Sequence, residues 1–232
     1  MALSRLPHDR LEPLIREHLS TEEDEDTARL CRELRAATAR GYLRGSELQA
    51  ICRWKSPRAI RHIRDNSPKQ VRAATRTALA TRSEQERLRA LTRLKGVSVP
   101  MASAVLTLLN PRRYGVLDIR VWQLLHEVGT VKTNAAGVGF SSENWYQFLD
   151  IIRYFSRKLR VKARDVERTL FHAHRAYQKG LLYKAGRSTS KQVPPPSRGR
   201  QRTSPPWPRA IWRTRASPRP EPPSPGGRED GR

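Results

Sequence analysis

A carboxylate able to do chemistry stands at Asp118, in the run Tyr114-Gly115-Val116-Leu117-Asp118-Ile119-Arg120-Val121-Trp122, just before a stretch patterned as a helix. At a helix N-terminus the dipole and the nearby amides favour the negative form of an aspartate. An anion held in this way suits the stabilisation of positive charge developing on a sugar carbon as a glycosidic bond breaks. The same position also suits a plain helix cap, a place aspartate often fills, so residue type alone leaves both roles open. Upstream, in Leu94-Lys95-Gly96-Val97-Ser98-Val99-Pro100-Met101, a tight turn at Gly96 joins one helix to the next. Glycine lets the backbone come close to a ligand, and the free amides opening the second helix suit a phosphate, with Lys95 adding charge beside them. Arg120, two residues past Asp118, is a further candidate phosphate contact.

Other chemistries find little to work with. The chain holds two cysteines, Cys31 and Cys52, too few for a disulfide framework or a four-cysteine metal site. His172 and His174 are two residues apart and fall on different faces of a helix, whereas helical metal pairs want i and i+4. No metal and no small-molecule cofactor is expected. Trp54, Tyr114 and Trp122 could stack on a base, but core packing is the commoner use of such residues. Arg164-Asp165 with Arg168 reads as an internal ion-pair cluster.

The elements that must position these groups read as helices joined by short loops. Ser56-Pro57 and Ser67-Pro68 each place a capping hydroxyl before a proline at the first helical position. Ser83 with Glu86 forms a capping-box pattern opening a helix toward Leu94, with Leu88, Leu91 and Leu94 as its buried stripe and Arg87, Arg89 and Arg93 facing outward. Trp145, Phe148, Leu149 and Ile152 mark one later helix, and Val166, Leu170, Phe171 and Tyr177 another. No alternating strand pattern is present, so the expected class is all-α. Residues 1–45 read as a helical segment, 46–184 as the folded body, and 185–232 as a disordered basic tail.

That tail holds 11 of the 17 prolines and eight of the 24 net positive charges, which leaves +16 on the residues before it. An imbalance of this size costs self-repulsion unless a polyanion relieves it, and nucleic acid is the first candidate. No apolar run approaches the roughly 20 residues that span a bilayer, and the first ten residues lack the apolar core of a signal peptide. The expected setting is intracellular, cytoplasmic or nucleoid-associated, with no membrane partner.

The hairpin and the aspartate 22 residues after its glycine together resemble the helix-hairpin-helix DNA glycosylase superfamily of base-excision repair. Leu94, Gly96 and Val97 match the hairpin, Ala102 or Ala104 the small positions after it, and Leu117-Asp118 the catalytic dipeptide. The resemblance implies a two-lobed all-α fold, a monomer that grips duplex DNA through hairpin amides, in some members with a monovalent cation, and a catalytic carboxylate at Asp118. Ser98 stands in place of the second hairpin glycine, where a serine can serve as an N-cap. Pro100 stands where bifunctional members carry a lysine, and a proline has no amine for a Schiff base. The expected function is therefore a monofunctional glycosylase acting on a damaged base. The alternatives are a non-enzymatic duplex clamp built on the same hairpin and, from the Arg- and Pro-rich tail, an RNA-binding accessory protein.

Deleting 185–232 should leave helicity and melting temperature unchanged while weakening DNA binding mainly at low salt, because the tail offers phosphate contacts and no core residues. Circular dichroism melts and anisotropy titrations over a salt series check this, and a large loss of thermal stability would move the boundary.

Overall fold

The computed structural model describes residues 11–178, and among them the regular structure is helical. In chain order the helices are α1 (Leu11–Glu17), α2 (Glu25–Glu33), α3 (Arg35–Arg40), α4 (Gly45–Lys55), α5 (Ile60–Arg64), α6 (Pro68–Ala80), α7 (Glu84–Thr92), α8 (Val99–Leu109), α9 (Ile119–Glu127), α10 (Ser142–Leu159) and α11 (Ala163–Tyr177). The all-α class is as expected; residues 185–232, where the tail was placed, lie outside the described residues.

The helix at the centre is α8. Every residue from Met101 to Leu109 is buried, and all but Ser103 and Thr107, whose hydroxyls are hydrogen-bonded, are apolar, as suits a helix enclosed by others. Helices α2, α3, α4 and α7 pack around it, while α9 and α10 both pack on α11. Ala102, Ser103 and Ala104 supply the small side chains that let neighbours approach. Leu14 and Ile15 of α1, with Leu34 and Leu43, belong to the same core as Leu106 and Phe148.

Local signals act much as the sequence suggests, with instructive exceptions. The Ser67 hydroxyl accepts from the Gln70 N–H and the Gln70 side chain accepts in return from the Ser67 N–H, closing the box that opens α6. Ser83 makes half of its box: its hydroxyl accepts from the Glu86 N–H, but the Glu86 carboxylate takes the Thr81 hydroxyl instead, and Thr81 Oγ1 accepts from the Ser83 N–H. Ser56 makes no capping hydrogen bond, and the turn after it, Pro57–Ala59, is a single 3-10 turn. Arg87, expected to face outward, is buried and donates to the carbonyls of Ala78 and Thr81, tying the start of α7 to the end of α6.

A buried charge network fastens the segment before α2 to α11. Arg164 donates to both carboxylate oxygens of Glu23 at 2.9 and 3.0 Å and also to Glu167, while Arg168 reaches Glu23 and Asp165 at 2.8 Å each. The Arg168 guanidinium further donates to the Ser20 carbonyl, and the Ser20 N–H donates to Thr169 Oγ1. The Trp54 ring lies 5.8 Å from the Arg164 guanidinium and its N–H donates to Thr27, so the same network supports the end of α4.

Arg164→Met should destabilise the protein by about 3–5 kcal/mol, since it leaves the buried Glu167 carboxylate without its counter-charge. Arg164→Met combined with Glu167→Leu should recover part of that loss. Urea denaturation of the two variants checks it, and equal losses in both would show that the pair carries no such coupling.

Candidate functional site

Asp118 occupies the N-cap of α9 in an extended conformation, with φ −129° and ψ 151°. One carboxylate oxygen accepts from the Arg120 N–H at 3.0 Å, and the other accepts from Lys55 Nζ at 2.6 Å. Lys55 is the last residue of α4, and both side chains retain about a fifth of their exposure, 17% and 19%. Burial alone would raise the Asp118 carboxyl, but the Lys55 ammonium and the Arg120 amide outweigh it and hold the group below the usual aspartate value. Asp118 is thus both a cap and an ionised carboxylate with a lysine beside it.

The backbone just before Asp118 is hydrogen-bonded to the first turns of α8. The Ser103 hydroxyl, in the first turns of α8, donates to the Pro100 carbonyl at 2.7 Å and accepts from the Leu117 N–H at 2.9 Å. The residue before Asp118 is therefore pinned to the helix that the hairpin opens. Beneath it, Gly115 leaves room for Glu167, whose Cβ would stand 2.7 Å from a Cβ added at 115. Burial pushes the Glu167 carboxyl up, and Asp118 adds to that push, against the pull of Arg164 and the Val116 N–H.

The hairpin turn is held from outside. Gly96 has φ +78°, and a Cβ there would meet His62 Cβ at 2.9 Å and the Ile63 nitrogen at 3.2 Å, so the turn needs glycine for both conformation and space. Asn66, between α5 and α6, pairs with the Lys95 backbone in both directions: Oδ1 accepts from its N–H at 2.8 Å and Nδ2 donates to its carbonyl at 2.9 Å. The Lys95 amide is consequently spent inside the protein, while the Lys95 side chain is exposed. Ser98 stands at the N-cap of α8 but its hydroxyl makes no capping bond. The amides of Ser98 and Val99 have no hydrogen-bond partner among the described residues, which leaves them for a ligand. Val97 is buried and its N–H closes the turn onto the Leu94 carbonyl at 3.1 Å. A monovalent cation would draw on the turn carbonyls, and those of Leu94 and Lys95 already accept from Val97 and Asn66. To an anion this turn offers N–H groups and positive charge.

Arg120, the further candidate phosphate contact, reaches toward Phe171 of α11. It is half-buried, with its guanidinium 5.8 Å from the Phe171 ring centroid and hydrogen-bonded to Gln178. Trp122 and Tyr114 are core residues, at 0% and 3% exposure. His174, also fully buried, shares its Nε2 with Gln123 Oε1 at 3.2 Å; burial and the nearby positive Arg120 lower it to about 4, so it is neutral at pH 7.

Two groups escape the sequence reading. Lys55 lies 63 residues from Asp118, and no local pattern marks it. Arg58, Arg61 and Arg64 are exposed on and just before α5, the helix against which Gly96 packs. Their signal is present as arginines spaced three apart with Ile60 and Ile63 between them. Among the described residues no helix is long and apolar enough to cross a membrane. No family model matches the chain, and neither a curated protein nor a solved structure matches it.

His174 makes stability depend on pH. Its folded value, about 4, is below its ordinary 6.5, so the unfolded chain takes up the proton first. The stabilisation is complete above pH 6.5 and is lost as pH falls toward 4, at up to about 1.4 kcal/mol per pH unit. His172 is held low as well and acts in the same direction. His174→Asn should flatten, without abolishing, the fall in unfolding free energy between pH 6.5 and 4.5; an unchanged slope would contradict the assignment.

Proposed function

We propose that the protein is a monofunctional DNA glycosylase-like enzyme, which hydrolyses the N-glycosidic bond of a damaged base in duplex DNA with Asp118 as its carboxylate. The observation that carries this reading is an ionised aspartate at the start of α9, whose preceding residue, Leu117, donates its N–H to Ser103 of the helix opened by a turn with free amides. The Ser98 and Val99 amides with Lys95 grip a backbone phosphate, and Arg58, Arg61 and Arg64 extend that grip. The target nucleotide leaves the stack, since the carboxylate cannot otherwise reach its sugar. Asp118 then faces the positive charge that builds on the sugar carbon as the base departs, and water completes the hydrolysis. Lys55 keeps the carboxylate ionised and aimed.

One observation favours a second reading, the non-enzymatic duplex clamp. Both Asp118 oxygens already have protein partners, as a purely structural aspartate would.

Asp118→Asn separates the two. For an enzyme, single-turnover base excision from a panel of lesion duplexes should fall by orders of magnitude while duplex affinity is unchanged or slightly tighter; for a clamp, neither quantity should move and no lesion should be excised by the wild type. Borohydride should trap no protein–DNA adduct, because residue 100 is proline and the Lys55 amine is engaged in its ion pair. Strong trapping that disappears in Lys55→Arg would instead assign a nucleophilic amine to Lys55.

A further inference from the structure

A second concentration of positive charge lies away from Asp118, around Tyr42. The guanidiniums of Arg40, Arg72 and Arg76 stand 4.8, 5.2 and 5.1 Å from the centroid of that one ring. They are therefore within about 10 Å of one another, roughly a Debye length at moderate salt, and they repel. Glu47 answers Arg40, with both carboxylate oxygens on one guanidinium nitrogen at 2.6 and 2.9 Å. Arg72 and Arg76 have no carboxylate partner among the described residues. Beside the triad opens a cavity of about 780 Å³, lined in part by Arg40, Arg76 and Arg82 over a floor that includes Leu106 and Leu109, with no acidic residue in its lining. Solvated arginines would spread apart; these are gathered around one aromatic ring, which holds the charge of Arg72 and Arg76 in place without neutralising it.

The arrangement is linear as well as dense. Lys69, Arg72 and Arg76 are exposed and spaced i, i+3, i+7, so they form one stripe along α6, and Arg82 follows just past its end. The stripe begins beside the hairpin, because Asn66, two residues before Pro68, holds Lys95. With its 13 residues, α6 is about 20 Å long, the length of about six base pairs of duplex. A row of cations fits a linear polyanion better than a compact one.

We propose that the Tyr42 arginine cluster is a second phosphodiester-binding site, which takes the backbone of the bound nucleic acid farther along α6 from the hairpin contact. The proposal rests on nucleic acid being the partner and is independent of any catalytic role for Asp118. Phosphates come to the cluster along α6, replace the missing counter-charge of Arg72 and Arg76, and draw the duplex flank against this face.

The test compares the full chain with Arg72→Ala/Arg76→Ala on a duplex of about 24 base pairs over a salt series. Both substituted residues are exposed, and melting curves confirm the fold. The double variant should bind about tenfold more weakly at low salt, with the salt slope reduced by about two. Arg72→Lys/Arg76→Lys should restore the slope. Unchanged affinity and slope, or a loss that the Lys variant does not restore, overturn the second site while leaving the hairpin reading intact. Preferential capture of pyrophosphate or a nucleoside triphosphate, lost in the Ala variant, assigns the cluster to a free phosphate ligand and overturns the backbone assignment. No binding of the duplex by the wild type overturns the nucleic-acid reading and this proposal together.

Discussion

Enclosing α8 on every side leaves its two ends as the places where it meets the surface. Each side chain from Met101 to Leu109 is out of water, and four helices cover it, so the chain must enter and leave this helix at turns the packing dictates. At the entry the turn is so close to α5 that residue 96 admits no Cβ, and the first amides of α8 lie where a proline and an uncapped serine leave them unpaired. Near the exit, Leu106 and Leu109 form part of the floor of the arginine-lined cavity. Both candidate anion sites are thus consequences of burying one apolar helix, with positive charge supplied by neighbours that remain in water.

Charge is handled in two distinct ways in this molecule. Where it is buried, it is answered: Arg164 and Arg168 meet Glu23, Glu167 and Asp165, Arg87 meets Glu84 and backbone carbonyls, and Lys55 meets Asp118. Removing one partner from such a set costs far more than the pair itself contributes, so these residues constrain one another's identity. Where charge is exposed on α5 and α6, by contrast, it gathers with one sign. Local compensation inside and local excess outside is the pattern expected of a surface that meets a polyanion.

The Lys55–Asp118 pair shows how the two regimes meet. Its carboxylate is ionised because an ammonium sits beside it, and the ammonium is there because α4 ends against the start of α9. The Trp54 contact with Arg164 and its hydrogen bond to Thr27 hold that end of α4 in place. Geometry at Asp118 accordingly depends on a network that reaches through Glu23 to the loop before α2.

Sequence by itself determined the helical class, the starts of α6, α7 and α9, the position of the glycine turn and the placing of Asp118 at a helix start. These follow from local rules: apolar spacing, capping hydroxyls, proline at a first turn, and the one residue that tolerates a positive φ beside another helix. Tertiary structure alone decided which charges are neighbours. Asn66 on the Lys95 backbone, Lys55 on Asp118, Arg120 over Phe171 and three arginines around Tyr42 depend on how helices cross, and nothing in the run of residues near any of them encodes it. Arg87 and Ser98 make the same point from the other side, since a charge placed outward by helical period was drawn inward by carbonyls at the end of α6, and a hydroxyl at a capping position left its amides open. Local propensity acts over a few residues and sets the backbone, whereas electrostatic pairing acts through space, and the distances that govern it exist only once the helices have packed.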